Sequence, residues 1–419
     1  MSDSFRPRIA ALVLLCCFSL SGVLGLRGDD WPQWRGVDRT GVSKETGLLK
    51  QWPNGGPKRL WMFREAGLGH SGFAVVGGML FTMGARDGIE SLLALDADSG
   101  SLLWSADLGP QLRNQWGDGP RGTPAVDCDR VFALSGGGVL VCVDTSEGKI
   151  LWKKTMQDLG GKQPGWGYAE SVLVDGGRVL CTPGGSKGAI AALDKLTGDV
   201  LWQSKNYTEA AQYASIVPAD CAGKHQYIQV GLGNVVGVAA DSGEVLWQAK
   251  WTGKVAVIPT PIYADGMVYV TSGYSAGCQL LKIDTGGTPT SLYQNAVMKN
   301  HHGGVVLCGG NIYGYSDGAG WMCQEMKTGK VLWTERAKLG KGALTCADGM
   351  LYCQDEASGN LVLVEASPLR WEERGRFRLA PQSAQRSPQG KIWTHPVVSS
   401  GRLYLRDQEV IFCYDVRKR

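Results

Sequence analysis

The sequence predicts an all-β chain: one eight-bladed β-propeller of four-stranded antiparallel blades, its ring closed by a blade shared between the two chain ends. Three observations carry this expectation. A short phrase recurs through the chain, most clearly at Leu92–Trp104 (LLALDADSGSLLW), Leu140–Trp152 (LVCVDTSEGKILW), Ile190–Trp202 (IAALDKLTGDVLW) and Val235–Trp247 (VVGVAADSGEVLW). Its closing aromatics, Trp61, Trp104, Trp152, Trp202, Trp247, Tyr293, Trp333 and Trp371, are spaced by 43, 48, 50, 45, 46, 40 and 38 residues. Repeats of this period mean a solenoid, a propeller or an array. No stretch beyond the N-terminal 25 residues shows a sustained helical period, and each period has room for four short strands.

Each phrase reads as a hairpin. In Leu93, Ala94, Leu95 and Asp96 the apolar and small positions suit a buried strand, Asp98, Ser99 and Gly100 supply a turn, and Leu102, Leu103 and Trp104 return. A second hairpin precedes each phrase: 123–127 with 131–135, 261–264 with 267–271, and 343–346 with 350–353. Asp-Gly between two strand-like runs, as at Asp265-Gly266 and Asp348-Gly349, is the strongest short hairpin signal.

Taken in order, residues 1–25 read as a secretory signal peptide. Arg6 and Arg8 form its charged start, 9–20 its apolar centre, and Val23 and Gly25 its small-residue cleavage site. The apolar run is short for a membrane span, so the expected location is periplasmic or secreted, with no transmembrane span in the mature chain. Residues 26–56 form a polar lead-in. Its Trp31 and Trp34, in WPQWRG, are expected to pack on the outside of the ring or across one end. The ring then occupies 57–419, with units at 62–104, 105–152, 153–202, 203–247, 248–293, 294–333 and 334–371. The remainder holds three strands and no fourth; 58–61 at the other end of the chain supplies it. The eight closing aromatics are expected to pack between neighbouring blades.

Composition narrows function by exclusion. A net charge of +4 over 419 residues gives no footprint for nucleic acid. Sixty glycines, roughly twice the average share, fit a chain of tight turns. The ten cysteines after the signal segment contain no C-x-x-C pair, hence no zinc, redox or covalent-haem motif. Cys346 and Cys353 flank one hairpin, but a two-residue turn at Asp348-Gly349 pairs 346 with 351 and 353 with 344, so they are not expected to bridge. Nor is there a G-x-S-x-G, a metal-binding histidine pair or a phosphate loop.

The repeated phrase resembles the tryptophan-docking repeat of quinoprotein dehydrogenases, shared by PQQ-like β-propeller proteins and by BamB-like propellers. The resemblance covers about 57–419. It implies fold more strongly than function. In such a ring the loop entering each innermost strand opens near the channel. Those loops carry Trp116, Asp118, Arg121, Trp166, Tyr168, Tyr213, His301, His302, Trp393 and His395, with Asn114, Asn300 and His70 beside them. Aromatic walls with a few polar groups at a concave mouth suit a small-molecule or peptide site.

Three functions follow as expectations. The first is a non-catalytic binding or scaffold propeller, BamB-like in envelope protein assembly, monomeric and needing no cofactor or metal, with envelope or extracellular proteins or glycans as partners. The second is a PQQ-dependent dehydrogenase of alcohols or sugars, which requires Ca²⁺ held by carboxylate and amide oxygens and an Asp base. The adjacent cysteine pair typical of that group occurs here only as Cys16-Cys17, inside the signal segment, and those enzymes are longer. The third is a propeller that binds or processes an extracellular polysaccharide.

Overall fold

A computed structural model describes residues 30–418. The predicted signal segment, with Cys16 and Cys17, lies outside them. The described residues hold strands and turns and no α-helix. Eight sheets form eight antiparallel four-stranded blades. Blade 1 runs Ala74–Val76, Met79–Arg86, Ile89–Asp96 and Leu102–Pro110. Blade 8 takes Val397–Ser399, Arg402–Asp407 and Val410–Asp415 from the C-terminal end and its outer strand, Lys58–Phe63, from the N-terminal end. The shared closing blade is as the sequence predicts. In blade 7, Cys346 pairs with Leu351 and Leu344 with Cys353, the register that an Asp-Gly turn dictates, and both cysteines are free thiols.

The repeated phrase has a physical logic at each position. Its Asp anchors the turn: the Asp96 Oδ1 accepts the amides of Asp98 and Ser99, and Asp144 and Asp194 do the same in blades 2 and 3. A β-bulge then falls just before the closing aromatic, as between Ile150 and Trp152 or Arg59 and Trp61. The bulge swings the preceding leucine to solvent, leaving Leu103 and Leu201 each 50% exposed, and aims the indole across the next blade.

Six of the eight aromatics dock this way. Trp61 Nε1 donates to Ala97 O at 3.0 Å, Trp104 to Thr145 O at 2.9 Å, Trp152 to Lys195 O at 3.0 Å, Trp202 to Ala240 O at 3.2 Å and Trp333 to Ser367 O at 2.9 Å. The Tyr293 hydroxyl donates to Met326 O at 2.6 Å. Most of these rings lie over the neighbouring turn's glycine. A Cβ at Gly148 would sit 2.7 Å from the Trp104 ring, and one at Gly243 2.3 Å from Trp202, with φ at +71° in both. Both the open face and the left-handed backbone require glycine there.

Two aromatics depart from the expectation. Trp247 donates to Gln226 Oε1 in its own blade, at 2.6 Å, because the next turn, at 284–288, is longer and offers no glycine under the ring. Trp371 precedes its blade's outer strand, Glu373–Arg378, and packs back against Trp321 and Trp333. The next blade closes through the chain ends, so there is no turn for Trp371 to dock on.

Of the two placements expected for the lead-in, the outside of the ring is the one it does not take; it crosses the channel against the inner strands. Trp31 pairs with Val75 of blade 1, and the Val126 amide of blade 2 donates to Pro32 O at 2.8 Å. Arg39 reaches blade 3, donating from Nη2 to Ser171 O at 2.8 Å and from Nη1 to Val172 O at 3.1 Å. Arg35 donates to Val305 O of blade 6. Val42 and Ser43 then run parallel to the inner strand of blade 7. Both arginines are almost fully buried, and burial pulls their pKa values down to about 10 for Arg35 and about 9 for Arg39. The backbone carbonyls that surround them disperse the charge.

Candidate functional site

The threaded segment closes the channel from one side and leaves a cavity of about 230 Å³ at the mouth. Trp34 and Arg35 contribute to its wall. Apart from Tyr274, the rest comes from loops that enter the inner strands of seven blades, blade 7 being the exception. Eight of the ten sequence-predicted residues meet there: Trp116, Arg121, Trp166, Tyr213, His301, His302, Trp393 and His395. His70 joins them. The loops converge because the inner strand is the one nearest the axis in every blade, so the residues just before it open on the same space.

Two predicted residues do not line the cavity. Asp118 is a turn anchor. It accepts Gln111 Nε2 at 2.9 Å and the Asn114 amide at 2.8 Å, and pairs with Arg113. Tyr168 is buried between blades 2 and 3, its hydroxyl donating to Pro183 O at 3.2 Å and its ring filling the space that a Cβ at Gly138 would need. Asn300 also faces inward, donating to Tyr315 O at 2.9 Å.

Aromatic rings dominate the wall. Tyr274, His301, His302, Trp393 and His70 form a continuous run, with centroids 4.5, 3.9, 4.6 and 5.0 Å apart in that order. On the other side Trp166 meets Tyr213 edge-on at 5.7 Å, and Trp34 meets His395 at 4.7 Å. Four of the chain's five histidines are here. Burial is the largest cause holding all four below their usual pKa. His301 is pulled to about 4, further lowered by Lys341, and His395 also to about 4, with Arg35 adding to the effect. His70 and His302 are likewise shifted well down. The four imidazoles are therefore neutral at neutral pH.

Arg121 carries the wall's other charge. Its Nε donates to Trp166 O at 2.6 Å and its Nη2 to Gly117 O at 2.8 Å. Burial lowers its pKa to about 10, which leaves it cationic. Among the described residues no Asp, Glu, Asn or Gln lines the cavity.

Sequence reasoning missed Trp34, Arg35, Ser171, Ser215, Thr260 and Tyr274. Tyr274 lies between the second and third strands of blade 5, outside the loops that the repeat singles out. Trp34 and Arg35 belong to no repeat, so periodicity gives them no place. Ser171, Ser215 and Thr260 occupy the predicted loops but carry no pattern of their own.

A family model described as outer membrane protein assembly factor BamB matches residues 88–335, more than half the sequence. The chain belongs to that family. Among its curated relatives, the outer membrane protein assembly factor BamB of Shewanella oneidensis is 24% identical over 277 residues, covering 61% of this chain and 66% of that protein. The tetrathionate hydrolase of Acidithiobacillus ferrooxidans is 27% identical over 281 residues, covering 61% of this chain and 51% of that one. The chain thus spans about half to two thirds of the length of these relatives. Among solved structures, BamB from Moraxella catarrhalis superposes with a TM-score of 0.60 at 16% identity, over 86% of this chain and 99% of that one. The quinohemoprotein alcohol dehydrogenase of Comamonas testosteroni gives 0.62 at 13%, over 93% and 81%. At these identities the structural likeness is one of fold.

Proposed function

We infer that this BamB-family chain is an exported, non-catalytic binding propeller that presents its channel mouth to polypeptide partners in envelope protein assembly. The observation that carries this reading is the convergence of loops from seven blades, with the threaded lead-in, on one aromatic cavity. The signal-type sequence at 1–25 supports export. The name shared by several relatives, outer membrane protein assembly factor, supports the class of partner.

The lining of this cavity suits the binding reading better than the quinoprotein alternative. Ca²⁺ takes six to eight oxygen ligands, chiefly carboxylates, carbonyls and waters. Among the described residues the wall offers no carboxylate or amide side chain, and no group of three or more His, Cys, Asp or Glu is placed to hold a metal. A catalytic Asp is also missing from the wall, since Asp118 is committed to its own turn. Glu356, the carboxylate bonded to Trp393 Nε1 at 3.1 Å, is buried and raised to about 7.

Interferometry with an immobilised, unfolded outer-membrane β-barrel protein tests the binding reading. Saturable binding is expected, weakened at least tenfold by the double variant Trp116→Ala/Trp393→Ala. A parallel dye-reduction assay with PQQ and Ca²⁺ is expected to show no turnover on alcohols or aldoses. Binding indifferent to both tryptophans, or quinone-dependent turnover, would refute the reading.

A further inference from the structure

The cavity wall carries several hydrogen-bond donors without partners. Three hydroxyls on it already accept an N–H. Ser171 Oγ takes the Thr123 amide at 2.8 Å, Ser215 Oγ the Ser171 amide at 3.0 Å, and Thr260 Oγ1 the Trp34 indole at 2.9 Å. None of the three donates to another described residue, so each hydroxyl hydrogen is free for a ligand. Arg121 donates from Nε and Nη2 to backbone carbonyls, leaving Nη1 with no partner among the described residues. Among the described residues the wall holds no side-chain carboxylate or amide; its side-chain acceptors include the unprotonated Nδ1 of His395, whose Nε2 donates to His302 O at 2.8 Å.

Size and shape narrow the ligand further. The cavity, of about 230 Å³, is a small one. It lies below the usual range for pockets that hold drug-sized ligands, about 300–1,000 Å³, which suits a ligand with a single ring. The aromatic wall favours a flat apolar face. A sugar ring satisfies the size but brings several hydroxyl donors of its own. Each donor left unmet against this wall weakens binding. A carboxylate on an aromatic ring only accepts.

We propose that the channel-mouth cavity binds a single-ring aryl carboxylate, with Arg121 and the wall hydroxyls taking the carboxylate and the indoles taking the ring. This deepens the reading of the mouth as a binding surface and rests on it.

Calorimetric titration of the full mature chain with benzoate, its neutral isostere benzamide, and glucuronate tests the proposal. Benzoate is expected to bind saturably with Kd below about 1 mM, roughly 4 kcal/mol. Benzamide is expected to bind at least tenfold more weakly, and glucuronate not measurably. Arg121→Gln is expected to weaken benzoate at least tenfold. Because Arg121 also ties two loops together, Ser215→Ala serves as a gentler variant and is expected to weaken benzoate about threefold. Equal affinity for benzoate and benzamide, tighter binding of glucuronate, or no benzoate binding at 10 mM would overturn the proposal. If benzoate fails while the unfolded barrel protein still binds through Trp116 and Trp393, the ligand class is wrong and the binding surface stands. If both fail, both readings fall.

Discussion

Replacing Arg406 by Met is expected to destabilise the protein by about 3–5 kcal/mol. Arg406 is fully buried on the second strand of blade 8, where it joins the last blade to the first. Its Nε donates to Gln408 O at 2.7 Å. Nη1 donates to Met83 O at 2.5 Å, to Thr82 Oγ1 at 3.0 Å and to Ser71 O at 3.3 Å, and Nη2 to Gly67 O at 3.0 Å. Burial lowers its pKa to about 9, so the cation persists at neutral pH. Met fills similar volume but leaves these carbonyls without their donor, each at about 1–3 kcal/mol. Urea unfolding should show the midpoint falling with the slope unchanged. A shift worth less than 1 kcal/mol would mean the blade 8–blade 1 seam is not held by this side chain.

The second large effect is expected from the N-terminal strand. A chain beginning at Arg64 loses Lys58–Phe63, and with it the outer strand of blade 8 and the Trp61 dock on Ala97. It also loses the threaded segment and the bonds of Arg35 and Arg39 to the inner strands. The strand Val410–Asp415 then presents an unpaired edge, a template for aggregation. We expect the truncated chain to lose cooperative unfolding and to self-associate. Since Asp415 pairs with Lys58, a permutant that starts at Arg64 and joins Asp415 to Lys58 through an Asn-Gly turn restores the strand without the threaded segment. That permutant should recover a cooperative transition, at a lower midpoint than the full chain. A truncated chain that melts as sharply as the full one would show that the ring does not depend on its shared blade.

The ring was legible in the sequence because its information is local and repeated. Asp96, Gly100 and Trp104 each do a job within one hairpin or across to the adjacent blade, so their spacing alone places them. The convergence of Trp116, Trp166, Tyr213, His301, His302, Trp393 and His395 follows from the same logic, since every loop before an inner strand faces the axis. What was not legible depends on contacts without periodicity. Trp34 bonds Thr260 across 226 positions of sequence, and nothing in WPQWRG marks it as crossing the channel. Trp166 and Tyr168 stand two residues apart, yet one lines the cavity and the other fills an inter-blade gap above Gly138. Asp118 looks like an acidic group at the mouth until its hydrogen bonds are seen to close its own loop. Trp371 carries the repeat's aromatic but meets a blade whose turn has been replaced by the chain ends.

The central claim is that the channel mouth, rather than the rim, is the working surface. The rim is a real competitor, because Leu103, Leu151 and Leu201 stand exposed on the outer strands of consecutive blades. Hydrogen–deuterium exchange of the mature chain, with and without a saturating unfolded outer-membrane β-barrel protein, separates the two. The account predicts slowed exchange in the mouth loops 112–122, 164–171, 209–216, 300–304 and 390–396, with the outer strands unchanged. Protection confined to the outer strands around Leu103, Leu151 and Leu201 would contradict it.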